Sequence, residues 1–150
     1  MRGDRHVILV VDDDVESLEV IAQNLRRMGY EVVPAVDGRS AVEMVRQGEV
    51  DLAVVDYNLP DLDGLQVLKM IKRINSALPV IVMSAASTNH NLLFDLLDAG
   101  AYAFIPKPIC VPDFQRTIER ALASSYPSEP ESDGGGSIFF RWRSWIIRRG

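Results

Sequence analysis

The chain has 150 residues, 47% of them hydrophobic, which is the size of a single globular domain with an ample core. Its one cysteine, Cys110, excludes an intramolecular disulfide, and neither a secretion leader nor a long apolar run is evident, so we expect a cytoplasmic protein. Four of the sixteen Lys and Arg lie in residues 137–150. The rest of the chain has twelve cations against twenty-one acids. We do not expect this part to bind nucleic acid, because phosphate contacts need clustered cations.

Five short apolar runs occur in the first 123 residues. In chain order they are VILVV (7–11), EVVPAV (31–36), LAVV (52–55), VIVM (80–83) and YAFI (102–105). The first, third and fourth are too short and too uniformly apolar for amphipathic helices, and they predict strands that are buried on both faces. The other two are weaker strand signals.

Helical patterns lie between the strands, with apolar residues three and four positions apart on one face. Because parallel neighbouring strands need a crossover, usually a helix, the alternation predicts an α/β fold: a doubly wound, five-stranded parallel sheet with helices on both faces. The residues that define the helical faces are Val15, Leu18, Ala22 and Leu25; Leu65, Leu68 and Ile71; and Phe114, Ile118, Ala121 and Leu122.

Pro34 interrupts the second predicted strand. Proline lacks the amide that a central strand needs for its ladder, so we expect this strand at the edge of the sheet. The order 2-1-3-4-5 places it there and creates a topological switch point between strands 1 and 3. Ligands of open α/β sheets bind beyond the carboxyl ends of the strands at such a point.

Acidic residues stand at these two strand ends. Asp12 and Asp13 follow strand 1, and Asp56 follows strand 3, so three carboxylates converge in one crevice. Like charges a few ångströms apart disfavour ionisation, and a hard cation such as Mg²⁺ relieves this. The sequence therefore predicts a magnesium site. Asp14, directly before the helical pattern that begins at Val15, is expected to cap that helix.

A hydroxyl and an ammonium are predicted at the same edge. Ser84 follows strand 4, and Lys107 follows strand 5. This grouping suits transfer of a phosphoryl group to a carboxylate: one Asp attacks phosphorus, the metal and Lys107 neutralise the phosphoryl oxygens, and Ser84 donates a hydrogen bond to one of them.

Four stretches carry these residues: ILVVDDD, DLAVVDYNLPDLDG, PVIVMSA and AGAYAFIPKP. Together and in this order they resemble the receiver domains of response regulators in bacterial two-component signalling, over about residues 6–123. The resemblance implies a flavodoxin-like, CheY-like fold.

The resemblance also implies a role for each site residue. Asp56 is the phosphoacceptor, Asp12 and Asp13 are the acidic pair that holds Mg²⁺, and the backbone carbonyl of Asn58 is a further ligand. Ser84 is the switch hydroxyl, and Lys107 precedes a proline that the family holds in the cis form. The switch aromatic is Phe104, where many relatives have Tyr, so it has no hydroxyl to bond.

The function implied is that of a phosphorylation-activated receiver. It accepts a phosphoryl group from the phosphohistidine of a histidine kinase or phosphotransfer protein and then changes a surface formed by helix 4, strand 5 and helix 5, where a downstream protein binds. It is not an enzyme beyond catalysing its own phosphorylation and dephosphorylation.

Two other functions compete with this interpretation. DDDVE also contains the D-x-D pattern of haloacid-dehalogenase-type phosphatases, in which Asp12 would be the nucleophile; Glu16 stands where that family has Thr or Val, and the late acidic pair is poorly matched. The second is a docking module that binds partners without phosphorylation, although every residue type needed for phosphorylation is present.

The composition changes after the predicted receiver, residues 1–123. Residues 124–137, SSYPSEPESDGGGS, are typical of a solvated linker. Residues 138–150, IFFRWRSWIIRRG, combine seven apolar residues with four arginines and are too few for a folded effector domain. Contact with the protein itself, with a partner, with a membrane surface or with nucleic acid, and no function at all, remain open for this tail.

Overall fold

The computed structural model of the protein describes residues 5–85 and 90–124. Strands and helices alternate strictly along this part of the chain, as the sequence predicts. The elements are β1 (Val7–Val11), α1 (Val15–Arg27), β2 (Glu31–Ala35), α2 (Gly38–Arg46), β3 (Leu52–Asp56), α3 (Gly64–Ile74), β4 (Val80–Ser84), α4 (His90–Asp98), β5 (Ala103–Pro106) and α5 (Val111–Ala123).

The five strands form one parallel sheet in the order β2-β1-β3-β4-β5. The predicted fold class and strand order are therefore confirmed. Pro34 lies opposite Val10 on β2, which is an edge strand. The missing proline amide is thus tolerated because β2 has a neighbouring strand on one side only.

The core follows from the three apolar runs at the centre of the sheet. Every residue of β1, β3 and β4 is buried. Helices cover a parallel sheet on both faces, so these strands carry apolar side chains at successive positions instead of alternating ones. Ile8, Leu52 and Ile81 have no exposed surface, and burial of each such side chain contributes about 1.5–3 kcal/mol.

Most residues of the expected apolar faces are buried; Leu65 and Leu122 are half-buried, and Val15 is exposed. Leu18, Ala22 and Leu25 of α1 are buried, but 67% of Val15, which belongs to the same predicted apolar face, is exposed. Helix α1 begins at the carboxyl edge of the sheet, where β1 has ended, and its first turn therefore has no strand to pack against. Asp14 does cap this helix, as predicted: its Oδ1 accepts a hydrogen bond from the amide of Glu16 at 3.1 Å.

The described residues include no helix long and apolar enough to cross a membrane. Most of the predicted linker and the whole predicted tail, from residue 125 to residue 150, lie outside the described part of the chain.

The loop between β3 and α3, residues 57–63, closes tightly on itself. The amide of Gly64 donates to the carbonyl of Tyr57 at 2.7 Å. A Cβ atom at position 64 would lie 2.7 Å from the Cα atom of Tyr57, which is closer than such atoms approach in proteins. This close approach explains why glycine stands at the start of α3.

We expect Gly64→Ala to lower the free energy of unfolding by about 1–3 kcal/mol, because the backbone of Tyr57 must shift to admit the methyl group. Urea denaturation followed by circular dichroism measures the loss. Gln23→Ala, at an exposed position of α1, is the control and should change stability by less than about 0.5 kcal/mol. Equal stability of the two variants would contradict the close approach.

Candidate functional site

The residues predicted for the site lie at the carboxyl edge of the sheet, because parallel strands all end there. Asp12 directly follows β1, Asp56 is the last residue of β3, and Ser84 is the last residue of β4. Lys107 directly follows β5. Four neighbouring strands thus place one predicted site residue each at the same edge of the sheet.

Three carboxylates converge at the switch point between β1 and β3. Asp12, Asp13 and Asp56 each offer an oxygen, and these oxygens lie within 4.8 Å of one another. Asp12 and Asp56 are buried, whereas Asp13 is exposed. Carboxylate oxygens at this spacing, with one face open to water, fit a hard divalent cation such as Mg²⁺, which retains several of its waters when bound.

Lys107 compensates the charge of the two buried carboxylates. Its Nζ atom donates to Oδ2 of Asp12 at 2.6 Å and to Oδ2 of Asp56 at 3.2 Å. Burial alone would lower the pKa of Lys107, but the hydrogen bond to Asp12 and the charges of both carboxylates outweigh it and raise this pKa. The lysine is therefore charged at neutral pH.

Asp12 is held ionised. Burial tends to raise its pKa, but hydrogen bonds from Lys107, from the amide of Asp14 and from the side chain of Ser17 lower the pKa below its ordinary value. The Asp14 amide lies 3.0 Å from Oδ1. Asp12 thus has partners at both of its oxygens.

Asp56 differs from Asp12 in its electrostatics. Burial raises the pKa of Asp56, and the negative charge of Asp12 adds to this effect. The charge of Lys107 and a 3.3 Å hydrogen bond from the amide of Asn58 oppose the rise without cancelling it. The charged form of Asp56 is therefore less stabilised by its surroundings than the charged form of Asp12.

The loop after Asp56 brings Asn58 next to the cluster. The amide of Tyr57 donates to the carbonyl of Met83 at 2.7 Å, which fixes the start of the loop to β4. Asn58 follows directly, with its amide on Oδ1 of Asp56.

Ser84 and Phe104 lie on the adjacent strands β4 and β5. Ser84 is 2% exposed, and its carbonyl accepts the amide of Lys107 at 2.9 Å, which joins the ends of the two strands. Phe104 pairs with Val82 in the sheet and is half-buried. The peptide bond between Lys107 and Pro108 is cis, as the resemblance implies.

Sequence reasoning did not identify Ser17 as part of the site. Ser17 lies in the first turn of α1, three residues after the cap Asp14, and its side chain bonds to Asp12. The signal was available in principle, because the first turn of a helix that follows a strand faces back toward the end of that strand. A serine there is equally typical of an ordinary helix start.

The fold and the site together define a class of signalling domain, and comparison with protein families identifies it. Residues 8–119 match the model of the response regulator receiver domain. The chain belongs to this family. Members are signalling domains that interact with histidine kinases or phosphotransfer proteins, and they typically bind Mg²⁺ at an acidic pocket.

Similar curated proteins are transcriptional regulators. The chain is 37% identical over 132 residues to the transcriptional regulatory protein ZraR of Escherichia coli K12, an alignment that covers 88% of this chain and 30% of ZraR. It is 38% identical over 129 residues to the DNA-binding transcriptional regulator NtrC of a Bradyrhizobium strain, which covers 85% of this chain and 27% of NtrC. The chain thus spans less than a third of the length of these relatives.

Solved structures agree with the fold. A CheY-like receiver domain protein from Methanospirillum hungatei superposes with a TM-score of 0.77 at 29% identity, covering 81% of this chain and 97% of that one. A response regulator from Chloroflexus aurantiacus gives a TM-score of 0.75 at 27% identity, covering 81% of this chain and all of that one.

We expect Lys107→Met to destabilise the metal-free protein by about 3–5 kcal/mol, because it leaves two buried carboxylates without their cation. Urea denaturation in the presence of a chelator measures this loss. Adding Asp12→Asn to the same chain should recover part of it by removing one of the two charges. Lys69→Met, at an exposed position of α3, is the matched control and should be near neutral. A loss no larger than in the control would contradict the role of Lys107 as counterion.

Proposed function

We propose that this receiver accepts a phosphoryl group on Asp56 from the phosphohistidine of a histidine kinase or phosphotransfer protein, with Mg²⁺ bound, and thereby switches a partner-binding surface. The observation that carries the proposal is the cluster itself: three carboxylates and one ammonium at the switch point of the sheet. This is the charge pattern that an incoming phosphoryl group and a divalent cation require together.

In the proposed reaction, a carboxylate oxygen of Asp56 attacks phosphorus while the bond from phosphorus to the imidazole nitrogen of the partner breaks. The imidazole keeps the electron pair of that bond and takes up a proton. Lys107 neutralises charge on the phosphoryl oxygens, and the hydroxyl of Ser84 donates a hydrogen bond to one of them. Mg²⁺ would be held by Asp12, Asp13, Asp56 and the backbone carbonyl of Asn58, and it supplies further charge neutralisation.

Asp56 suits the role of acceptor better than Asp12 does. Asp12 has no exposed surface and already binds Lys107, the Asp14 amide and Ser17. Asp14, which would be the general acid of a phosphatase, uses its Oδ1 to cap α1. These contacts favour a receiver over a phosphatase that uses Asp12 as its nucleophile.

The proposed output is a change in the surface formed by α4, β5 and α5. Ser84 would move toward the phosphoryl group, and Phe104 would turn inward to fill the space, so that β5 transmits the state of the site. Phe94 of α4 is 51% exposed, so α4 presents an apolar side chain that a partner could cover. The protein turns over no external substrate in this proposal.

We expect Asp56→Asn to abolish incorporation of phosphate from acetyl phosphate in the presence of Mg²⁺, because the amide is not a nucleophile. Intact-protein mass spectrometry measures the added mass. Asp95→Asn, at an exposed position of α4, is the control and should be labelled like the wild type.

Labelling that survives in Asp56→Asn and disappears in Asp12→Asn would favour the phosphatase mechanism instead. A wild-type protein that is labelled neither by acetyl phosphate nor by any phosphorylated histidine kinase of its source would favour a docking module that needs no phosphorylation.

We expect Asp13→Ala to weaken Mg²⁺ binding by tenfold or more, since it removes a charged ligand. The metal-free fold should keep its stability or gain slightly, because one of three crowded negative charges is lost. Thermal melts over a range of Mg²⁺ concentrations measure both effects. Glu16→Ala removes a nearby exposed acid outside the cluster and should leave the Mg²⁺ dependence unchanged. Equal Mg²⁺ stabilisation in the two variants would exclude Asp13 as a ligand.

A further inference from the structure

Asp61, in the loop between β3 and α3, joins this loop to a different part of the chain. Its Oδ1 accepts the amide of Gly38 at 2.8 Å, and its Oδ2 accepts the amide of Arg39 at 3.0 Å. Both amides belong to the first turn of α2. The amide of Leu62 also lies 2.8 Å from Oδ1. One carboxylate thus binds the start of a helix that lies more than twenty residues away in sequence.

We infer that Asp61 is a positioning residue: by anchoring the β3–α3 loop to the start of α2, it holds the backbone of Asn58 where Mg²⁺ needs a carbonyl ligand. The inference rests on the proposed function, because it assumes that Mg²⁺ is bound beside Asp56.

Two fixed points define the path of the loop past the cluster. At Tyr57 the chain is tied to β4 and to the start of α3, through the carbonyl of Met83 and the amide of Gly64. At Asp61 it is tied to α2. Only residues 58–60 lie between these points. The backbone of Asn58 therefore has little freedom while both anchors are intact, and it gains freedom on one side when Asp61 is lost.

The anchor point on α2 is closely packed. A Cβ atom at Gly38 would lie 2.8 Å from Cγ2 of Val67 and 3.1 Å from Cβ of Leu62. The start of α2 therefore packs against α3 and against the loop without spare room. A hydrogen bond to this point therefore ties the loop to a closely packed part of the fold.

The charge of Asp61 strengthens the anchor. Desolvation tends to raise its pKa, but the hydrogen bonds from the amides of Gly38, Arg39 and Leu62 outweigh it and lower the pKa. The carboxylate also lies at the amino end of α2, where the partial charge of the helix is positive. The side chain is thus an anion at neutral pH, and hydrogen bonds to anions are stronger than those to neutral acceptors.

Asp37 provides a control, because its side chain caps the same helix and forms no hydrogen bond with the described loop residues 57–63. Its Oδ1 accepts the amide of Ser40 at 2.8 Å, as an ordinary N-cap does. Removing Asp37 takes one acceptor from the first turn of α2, whereas removing Asp61 takes two. Only the removal of Asp61 also frees the loop.

The test compares Asp61→Ala with Asp37→Ala in the full chain. We expect Asp37→Ala to lower the melting temperature of the metal-free protein by roughly 4 °C, as loss of a helix cap does, and Asp61→Ala to lower it by at least as much, because Asp61 accepts more amides. Only Asp61→Ala should weaken Mg²⁺ binding, measured by calorimetry, and the loss should be about three- to tenfold, at or below the low end for an outer-shell partner. Hydrogen exchange at the Asn58 amide, without Mg²⁺, should quicken in this variant alone.

A second variant and a second readout keep the test decisive. Asp61→Asn retains one acceptor oxygen and should fall between the wild type and Asp61→Ala. Labelling of Asp61→Ala by acetyl phosphate should be slow at low Mg²⁺ and recover at high Mg²⁺, because the nucleophile and Lys107 are untouched. Equal Mg²⁺ affinity in the Asp61→Ala and Asp37→Ala proteins would overturn the inference. A wild type that neither binds Mg²⁺ nor is labelled would instead overturn the proposed function.

Discussion

The rest of the site depends on the ion pairs between the ammonium group of Lys107 and two buried carboxylates. Asp12 and Asp56 are buried side by side at the end of an apolar sheet, and two buried carboxylates without a cation would cost several kcal/mol. Lys107 offsets this cost by donating a hydrogen bond to each carboxylate. The lysine follows β5, whereas the carboxylates belong to β1 and β3, so its side chain reaches across the end of β4. Only a long, flexible cation at a strand end can do this.

The parallel sheet makes this arrangement possible. All strands of such a sheet end at one edge, and the order β2-β1-β3-β4-β5 places the two acidic strands next to each other there. Neighbouring crossovers leave the sheet toward opposite faces at this point, which opens a crevice. The requirements of fold stability and of the proposed function therefore conflict at this edge. The charged form of Asp56 costs stability, as its raised pKa indicates, yet in the proposed function this carboxylate holds the cation and accepts the phosphoryl group.

Much of the fold was predictable because local pattern and global structure agree. The uniformly apolar runs of β1, β3 and β4 correspond to strands covered on both faces, and Pro34 correctly indicated an edge strand. Val15 shows where a periodic pattern stops being informative. It has helical spacing to Leu18, but it lies past the end of the strand that its helix packs on, and periodicity carries no information about where that strand ends.

The main residues of the site were predictable for a related reason. Asp12, Asp56, Ser84 and Lys107 stand at strand ends, so a correct strand order brings them together without knowledge of any side-chain contact. Contacts that depend on how separate segments pack cannot be predicted from the strand order. The bonds from Asp61 to the start of α2 connect residues 22 and 23 positions apart, and the sequence around Asp61 reads only as a turn.

This difference separates two ways in which the site is held. Asp12 and Asp56 take their positions from the sheet, whose hydrogen bonds and buried side chains fix each strand end. The backbone of Asn58 belongs to a loop and takes its position from anchors outside itself, at Tyr57 and Asp61. A substitution at a strand end therefore changes the chemistry of the cluster. If the proposed function holds, a substitution at the loop anchor leaves Asp56 and Lys107 in place and changes only the position of a loop carbonyl relative to the cation. Metal affinity could then vary among such domains while the acceptor chemistry stays the same.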